Sequence, residues 1–465
     1  MASTYLLKAL NAGLTNGNSK TWTWSGWFKR SKLGTNQVLW SWGNDGSSDA
    51  YMWINSDDKF TAMADGQYGS SGFVSTMTFK DVNSWYHLVF RCDVTEASNA
   101  DRWRVYVNGE QITMASQTIT NATSIVNQVT TVNVAIGRRQ RAAALGDYWD
   151  GYMSQVVVVD GTAYGPSTFG STDATTGEWK PKSDGEIRSA VTFGTNGGLY
   201  PFSNASYLGY DYQSSDRSGT TNDYTLGGSG YKTSDNPSDN QPTLNSEVDK
   251  GGGIGYSYSQ ANQGLSFSAG DWGLIPGTIG PGDSGKWYFE AKQTSLTNYA
   301  QMGFLTAKNL NAGGWEGYFG QEGGNEPAYG YGQDGKIYYS TTSANTQSTS
   351  ADWATFTSGD ICMCALDLDN NFIYFGKNGT WGNSGDPTSG STGTGGFSIA
   401  NPSGSLWLPA VAGYNCTWLV NFGNGYFDTT QVASGNSDDG GLGTFEYDVP
   451  AGYRTICTKN IKTYG

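Results

Sequence analysis

Apolar and polar residues alternate with period two along most of this chain, in short runs separated by Gly, Asn, Asp and Ser. A two-residue period puts alternate side chains on opposite faces of a sheet, so each run predicts a strand. The first set covers residues 21–28 (TWTWSGWF), 37–42, 51–54, 84–90, 102–107, 132–137 and 152–160. The run over 102–107 meets Asn108-Gly109, the strongest short hairpin signal. No convincing helix is visible in this region. A second set covers 286–290, 302–305, 328–331, 336–339, 406–411 and 418–423. Within it, GDICMCALDLDNNFIYFGKNGTW over 359–381 reads as strand, turn at Asp369-Asn370-Asn371, strand, and turn at Lys377-Asn378-Gly379. Its phase points Leu366 and Phe375 inward, with Trp287 beside them.

Between the two sets, residues 171–285 are rich in Ser, Gly, Asn, Asp and Tyr. So long a stretch of pure linker is unusual in a compact chain. An irregular connector is expected, packed along both flanking regions and adding a few strands, one of them at 197–202. The fold predicted is all-β: two antiparallel β-sandwiches, over 1–170 and 286–465, joined by a Gly/Ser/Asn-rich connector over 171–285. No short repeat suggests a propeller or solenoid, and no heptads suggest a coiled-coil stalk.

Composition narrows the function. The chain has 465 residues, 66 Gly, 14% aromatic residues and only 15% charged ones, against about 25% in an average globular protein. Its surface is therefore largely neutral and polar. The net charge of -14 argues against nucleic acid and anionic membranes as partners. No apolar run reaches the roughly 20 residues of a membrane span. The opening MASTYLLKAL carries Lys8 but no signal-peptide core, so export by a signal peptide is not expected. Five Cys (Cys92, Cys362, Cys364, Cys416, Cys457) are odd in number and scattered in spacing. They read as small buried residues rather than as a disulfide or zinc framework.

Three sets of residues carry family resemblances. TWTWSGWFKRSKLG, WYHLVFRCDVTEASNADRWRVYVNGEQI, VAIGRRQ and DGYMSQVVVVDGTAYGPSTFG together resemble the laminin-G-like branch of the concanavalin A-like lectin/glucanase superfamily. The hairpin over 359–381, with KWYFE, LWLPAV and WLVNFG, resembles the SPRY (B30.2-like) β-sandwich, whose members bind partners and do no chemistry. The order of the two modules around SGTTNDYTLGG, SDNPSDNQPTLN and SGKWYFEAK resembles structural proteins of marine bacteriophages.

A superfamily that includes glycoside hydrolases makes catalysis worth testing. Such enzymes place paired carboxylates on one strand as ExDxxE. Glu247-Val248-Asp249 is the nearest match; it lacks the second Glu and runs into Lys250-Gly251-Gly252. Asp367 and Asp369 share a strand face but fit the hairpin without a catalytic role. His87 is the sole His, so a Ser-His-Asp triad would have to use it; its place in a strand reads as packing. Calcium is the candidate metal, through loop oxygens near Asp45 and Asp49, with Asp57 and Asp58 in the next turn. No other cofactor is expected.

Aromatic residues near loops are the stronger signal, because sugar rings present C–H faces that stack on indoles and phenols. The glycan-binding candidates are Trp42, Trp53 and Trp149 in the first region and Trp315, Tyr318, Tyr329 and Tyr331 in the last. The resemblances imply a non-catalytic virion surface protein of a bacteriophage, a tail fibre or capsid decoration for host attachment. It would be made in the host cytoplasm, would homo-oligomerise, and would contact other virion proteins and a host glycan or protein. The alternatives are a purely architectural shell or filament protein, and a glycan depolymerase.

Overall fold

The computed structural model describes the chain except residues 1–3, 10–19, 44–48, 64–72, 116–118, 120–132, 141–144, 219–221, 249–254, 271, 312–316, 321–325, 342–344 and 348–351. The chain divides into two units, Met1–Lys232 and Thr233–Gly465.

The first unit holds strands β1 (Tyr5–Ala9), β2 (Thr21–Arg30), β3 (Gln37–Gly43), β4 (Asp49–Ile54), β5 (Lys59–Met63), β6 (Phe73–Thr78), β7 (Tyr86–Asp93), β8 (Trp103–Val107), β9 (Glu110–Gln111), β10 (Asn133–Ile136), β11 (Gly151–Asp160), β12 (Gly170–Thr172), β13 (Trp179–Pro181), β14 (Gly198–Tyr200) and β15 (Thr225–Gly227). Among the described residues one sheet runs β15-β1-β10-β3-β4-β5-β6 and another β14-β11-β2-β7-β8-β9. Strand pairing in both is antiparallel. The inner faces meet in a core of Trp22, Trp24, Phe28, Trp40, Phe60, Leu88 and Phe90. Asn108 (φ 48°) and Gly109 (φ 89°) take the left-handed conformations of a two-residue hairpin turn, and β9 returns beside β8. One helical turn, α1 (Asn99–Arg102), precedes β8 where no helix was expected.

Of the stretch 171–285, residues 171–232 belong to the first unit and 233–285 to the second. The reason lies in the second sheet, which is apolar on both faces: Val156 joins the inner core, while Val157 and Val159 face outward with Val89. A sheet apolar on both sides needs a layer on each. Phe169, Ile187, Val191, Phe193 and Leu199 supply the outer layer. Ile187 sits on α2 (Asp184–Ala190), whose start is a capping box: Glu186 N–H donates to Ser183 Oγ, and Ser183 N–H to the Glu186 carboxylate.

The second unit holds β16 (Tyr256–Ser259), β17 (Gly264–Phe267), β18 (Gly273–Pro276), β19 (Lys286–Thr306), β20 (Ala328–Gly332), β21 (Ile337–Ser340), β22 (Asn345–Gln347), β23 (Ile361–Asp367), β24 (Phe372–Lys377), β25 (Thr380–Trp381), β26 (Phe397–Ser398) and β27 (Trp407–Asn421). Two expected pairs of strands are each one strand. Residues 286–290 and 302–305 both lie in β19, and 406–411 and 418–423 fall largely in β27. The two long strands run antiparallel, with register shifts at Gln293/Ser295 and Leu296/Tyr299. Bulges of this kind let a strand bend without ending. Trp287, Leu366 and Phe375 lie in the core, as the strand phase predicts. The opposite face of β23 and β24 is covered by Phe445 and Tyr453 from the C-terminal segment.

Candidate functional site

Four of the seven aromatic candidates are core residues, which corrects the expectation that they line a sugar site. Trp42 and Trp149 are 7% and 8% exposed, Tyr329 and Tyr331 1% each. Trp42 packs beside Trp40, and Trp149 meets the Phe28 ring edge-on at 5.3 Å. In β20 the tyrosines alternate with Gly330 and Gly332, and it is the tyrosines that point inward. Their hydroxyls are also used: Tyr329 Oη accepts from Ala400 N–H at 2.7 Å, and Tyr331 Oη donates to the Ala354 carbonyl. Rings held in this way cannot stack on a ligand. Trp315 lies outside the described residues. Tyr318 is half-buried against Trp272, ring centroids 4.8 Å apart.

Trp53 is the candidate that stands on an outward sheet face in the first unit. Ala50, Met52 and Ile54 of β4 enter the core, so period two turns Tyr51 and Trp53 to the other side. Their rings lie 4.3 Å apart at 35°. The Arg139 guanidinium carbon sits 4.5 Å from the Tyr51 ring centroid, a cation–π distance. Arg139 is held by its own backbone, its N–H donating to the Gly146 carbonyl at 3.0 Å. Tyr51 is nearly covered and Trp53 is half-buried. The outer face of the other sheet is closed by the layer from 169–199. The β3–β5 face thus offers one half-exposed ring, Trp53, backed by the nearly covered Tyr51 ring and the Arg139 guanidinium. The alternation Tyr51-Met52-Trp53-Ile54 already carried the signal for Tyr51, which sequence reasoning did not single out.

His87 is buried, and its bonds fix its protonation. Trp179 Nε1–H donates to Nδ1 at 2.9 Å, so Nε2 carries the imidazole proton and faces Ser25 Oγ at 2.9 Å. An imidazole in that tautomer cannot take a proton from Ser25. Burial pushes the His87 pKa down to about 3; Trp27 stacks on the ring at 4.6 Å, and Trp179 lies beside it at its hydrogen-bonded edge. The group is structural.

The carboxylates are similarly committed. Asp58 pairs with buried Arg30 at 2.8 Å and also accepts from Gly34 N–H, which removes it from the candidate calcium ligands. Asp45 lies outside the described residues, as does the side chain of Asp49. Among the described residues no group of three or more His, Cys, Asp or Glu could hold a metal ion. Asp367 pairs with Lys286 at 2.9 Å, and Asp369 accepts from Gly285 N–H. Glu247 is exposed, next to Val248 in the core; Asp249 lies outside the described residues. The five cysteines are buried and free.

Glu290 is the exception in character. It is fully buried, yet Tyr288 Oη and Tyr447 N–H donate to Oε1 at 2.9 and 2.8 Å, and Glu446 N–H and Asn421 Nδ2 donate to Oε2 at 2.9 and 3.4 Å. Burial pushes its pKa up to about 7 against the pull of those donors. Two of its donors, Tyr288 and Asn421, are fully buried, and the other two are backbone N–H groups next to Phe445, so it ties the C-terminal segment to β19 and serves the fold.

Residues 7–164 match the family described as the concanavalin A-like lectin/glucanases superfamily, a range that takes in part of β1, all of β2 to β11 and the Tyr51–Trp53 pair. No curated protein matches the chain's sequence. Among solved structures, the SPRY domain of human HERC1 is 17% identical, covering 36% of this chain and 96% of its own, with a TM-score of 0.26. Domains LG4-5 of the mouse laminin alpha1 chain are 8% identical, covering 90% of this chain and 85% of their own, at a TM-score of 0.28. The CBM40 of a Ruminococcus gnavus IT-sialidase is 15% identical, covering 35% and 90%, at 0.26. Overlaps at these TM-scores carry no argument. The all-β assignment rests on the sheets themselves, and the similarity to the concanavalin A-like superfamily covers residues 7–164 of the first unit.

Proposed function

We propose that this chain is a non-catalytic recognition protein whose first unit binds carbohydrate, and that it acts on the surface of a bacteriophage virion. The observation that carries the carbohydrate reading is the Tyr51–Trp53 pair beside Arg139, on the outward face of a sheet within the lectin-like residues. Rigid aromatic rings give contact area at low entropic cost, and a fixed cation beside them orients hydroxyl or carboxylate groups of a sugar. The virion setting is supported by the resemblance of the module order to phage structural proteins, and by a weakly charged surface. The partners in this reading are a host-surface glycan, other virion proteins and further copies of the chain.

A glycan array with the parent protein and Trp53→Ala tests the carbohydrate reading. Loss of about tenfold in affinity, roughly 1.4 kcal/mol, with an unchanged melting temperature is the expected result. Equal binding by both proteins removes the site. Mass spectrometry of purified virions tests the setting, and absence of the chain from the particles overturns it.

A further inference from the structure

We propose a second carbohydrate-binding surface, on the second unit: a flat aromatic face formed by Trp272, Tyr299, Tyr318, Tyr338 and Tyr414 that takes uncharged sugar rings of a polysaccharide. It goes beyond the first-unit reading and stands or falls separately.

The face follows from strand phase. In β19 Ala300, Met302 and Phe304 point into the core, so Tyr299, Gln301, Gly303 and Leu305 point the other way. Register then sets Tyr414 opposite Tyr299, Ala412 opposite Gln301 and Ala410 opposite Gly303. On the neighbouring strands Leu274 stands opposite Ala412, Gly330 opposite Gly303, and Tyr338 opposite Gly330. The sheet surface here is a floor of glycine and alanine, and large rings lie on it. A Cβ on Gly330 would come within 2.3 Å of the Phe319 ring, and one on Gly332 within 2.5 Å of Tyr338. Both glycines are therefore required for the rings to sit against the backbone. Gln301 Oε1 accepts from Phe319 N–H at 2.9 Å and pins the segment that brings Tyr318 over the sheet.

The rings join into one surface. Trp272 stacks on Tyr299 at 5.3 Å and 20°, and lies 4.8 Å from Tyr318. Tyr318 meets Tyr338 edge-on at 6.1 Å, and Tyr414 lies 6.5 Å from Tyr299. Tyr299 is 50% exposed, and no other large apolar side chain among the described residues is more exposed. The remaining four rings are partly exposed. Stability alone gives no reason to leave such a cluster in water, and contiguous patches of this kind mark interaction sites.

Charge selects the occupant. None of the residues in register on this face is a cation. Among the described residues, the carboxylate bonded to this face is Asp334, which accepts from Tyr338 Oη at 2.9 Å. Single-stranded nucleic acid also stacks on aromatics but needs a basic groove, and a net charge of -14 opposes it. Protein interfaces also enrich Tyr and Trp, but together with Met and Arg, and neither stands among the residues in register on this face. Neutral sugars need flat rings and neutral hydrogen-bonding groups. At the edge of the face Asn415 Nδ2 donates to Asn298 Oδ1 at 3.0 Å, an exposed amide pair that presents donor and acceptor together.

The test is affinity electrophoresis of the full chain through gels containing a soluble β-glucan, a galactomannan or an arabinoxylan, with polygalacturonate as the acidic comparison. Trp53→Ala serves as the background, so that the first-unit site does not contribute. We expect that background to be retarded by a neutral polysaccharide, equally at low and high salt, since screening acts on charged partners. Adding Tyr299→Ala should reduce the affinity about tenfold, while adding Tyr299→Phe should keep it, because the ring and not the hydroxyl makes the stack. Thermal melting confirms that each variant folds. The proposal is overturned if no neutral polysaccharide retards the Trp53→Ala protein, or if Tyr299→Ala leaves retardation intact. It is also overturned if Tyr299→Ala abolishes concentration-dependent self-association in sedimentation and leaves polysaccharide binding unchanged, which would make the face a contact between copies.

Discussion

Replacing Glu290 by Gln separates the effect of a buried proton from that of a buried shape. In the folded chain Glu290 titrates near 7, against an ordinary value of 4.5. Between those pH values the folded protein holds a proton that the unfolded chain has released. Folded stability is therefore full below about pH 4.5, falls as pH rises through the window, and levels off above about 7. At 1.36 kcal/mol for each pH unit crossed, the loss is about 3 kcal/mol. Gln cannot titrate, so the variant lacks this slope. It carries a fixed penalty instead: its amide NH2 must face one of the donors from Tyr288, Tyr447, Glu446 or Asn421, at about 1–3 kcal/mol. Glu290→Gln should thus be the less stable protein at pH 4.5 and should recover about 3 kcal/mol relative to the parent by pH 8. Urea unfolding of both proteins across that range measures the difference, in which the other titrating groups cancel. A difference that stays constant with pH would mean that the four donors outweigh burial and that the carboxylate is ionised throughout.

Phe375 is 1% exposed, with its ring 5.6 Å from that of Tyr331; Phe375→Ala should cost about 3–5 kcal/mol in denaturant unfolding, and an unchanged midpoint would refute the assigned phase of β24. His87 gives a slope opposite to that of Glu290. Its folded pKa is pushed below its ordinary value of 6.5, to about 3, so the stability it contributes is present above pH 6.5 and is lost as pH falls toward 3, by about 5 kcal/mol at most. The difference in stability between the parent and His87→Gln, followed by unfolding at descending pH, should narrow over that window; parallel curves would show that His87 is not held neutral.

The sequence was most legible where two independent signals coincided. The hairpin over 361–377 combines short apolar runs, buried on both faces, with a turn residue that tolerates left-handed backbone, and Asn371 takes φ 63° there. At the second turn Asn378 and Gly379 take φ 50° and 82°. Strand ends were read less well. Nothing in the alternation of 286–306 distinguishes a strand that stops from one that slips register and bends, because the bulges at Gln293/Ser295 and Leu296/Tyr299 depend on β27, far along the chain. The stretch 171–232 was underread for a related reason. Its apolar residues are sparse, yet Val156-Val157-Val158-Val159 announces a strand buried on both faces, and Ser183 and Glu186 stand at capping-box spacing. Taken together, those two signals call for the covering layer that 169–199 supplies.

The aromatic sites show where local pattern stops being informative. In Ala328-Tyr329-Gly330-Tyr331-Gly332 the alternation is perfect, but it does not say whether tyrosine or glycine faces the core. That choice is made by the far side. Phe319 and Tyr338 lie against Gly330 and Gly332, so the glycines must face out and the tyrosines are driven in. The same logic selects Tyr299 as the exposed ring: its odd-numbered phase in β19 is set by Ala300, Met302 and Phe304, and its partner Tyr414 by the register with β27. In a chain with 17 Trp and 29 Tyr, the presence of an aromatic near a loop carries little weight. Small residues on the neighbouring strand, which give a ring somewhere to lie, carry more. Trp53 and Tyr318 are half-buried, whereas Trp42, Trp149, Tyr329 and Tyr331 are core residues. A search of such sequences for Gly and Ala at matched register beneath an unpaired aromatic should locate stacking surfaces that a census of tryptophans misses.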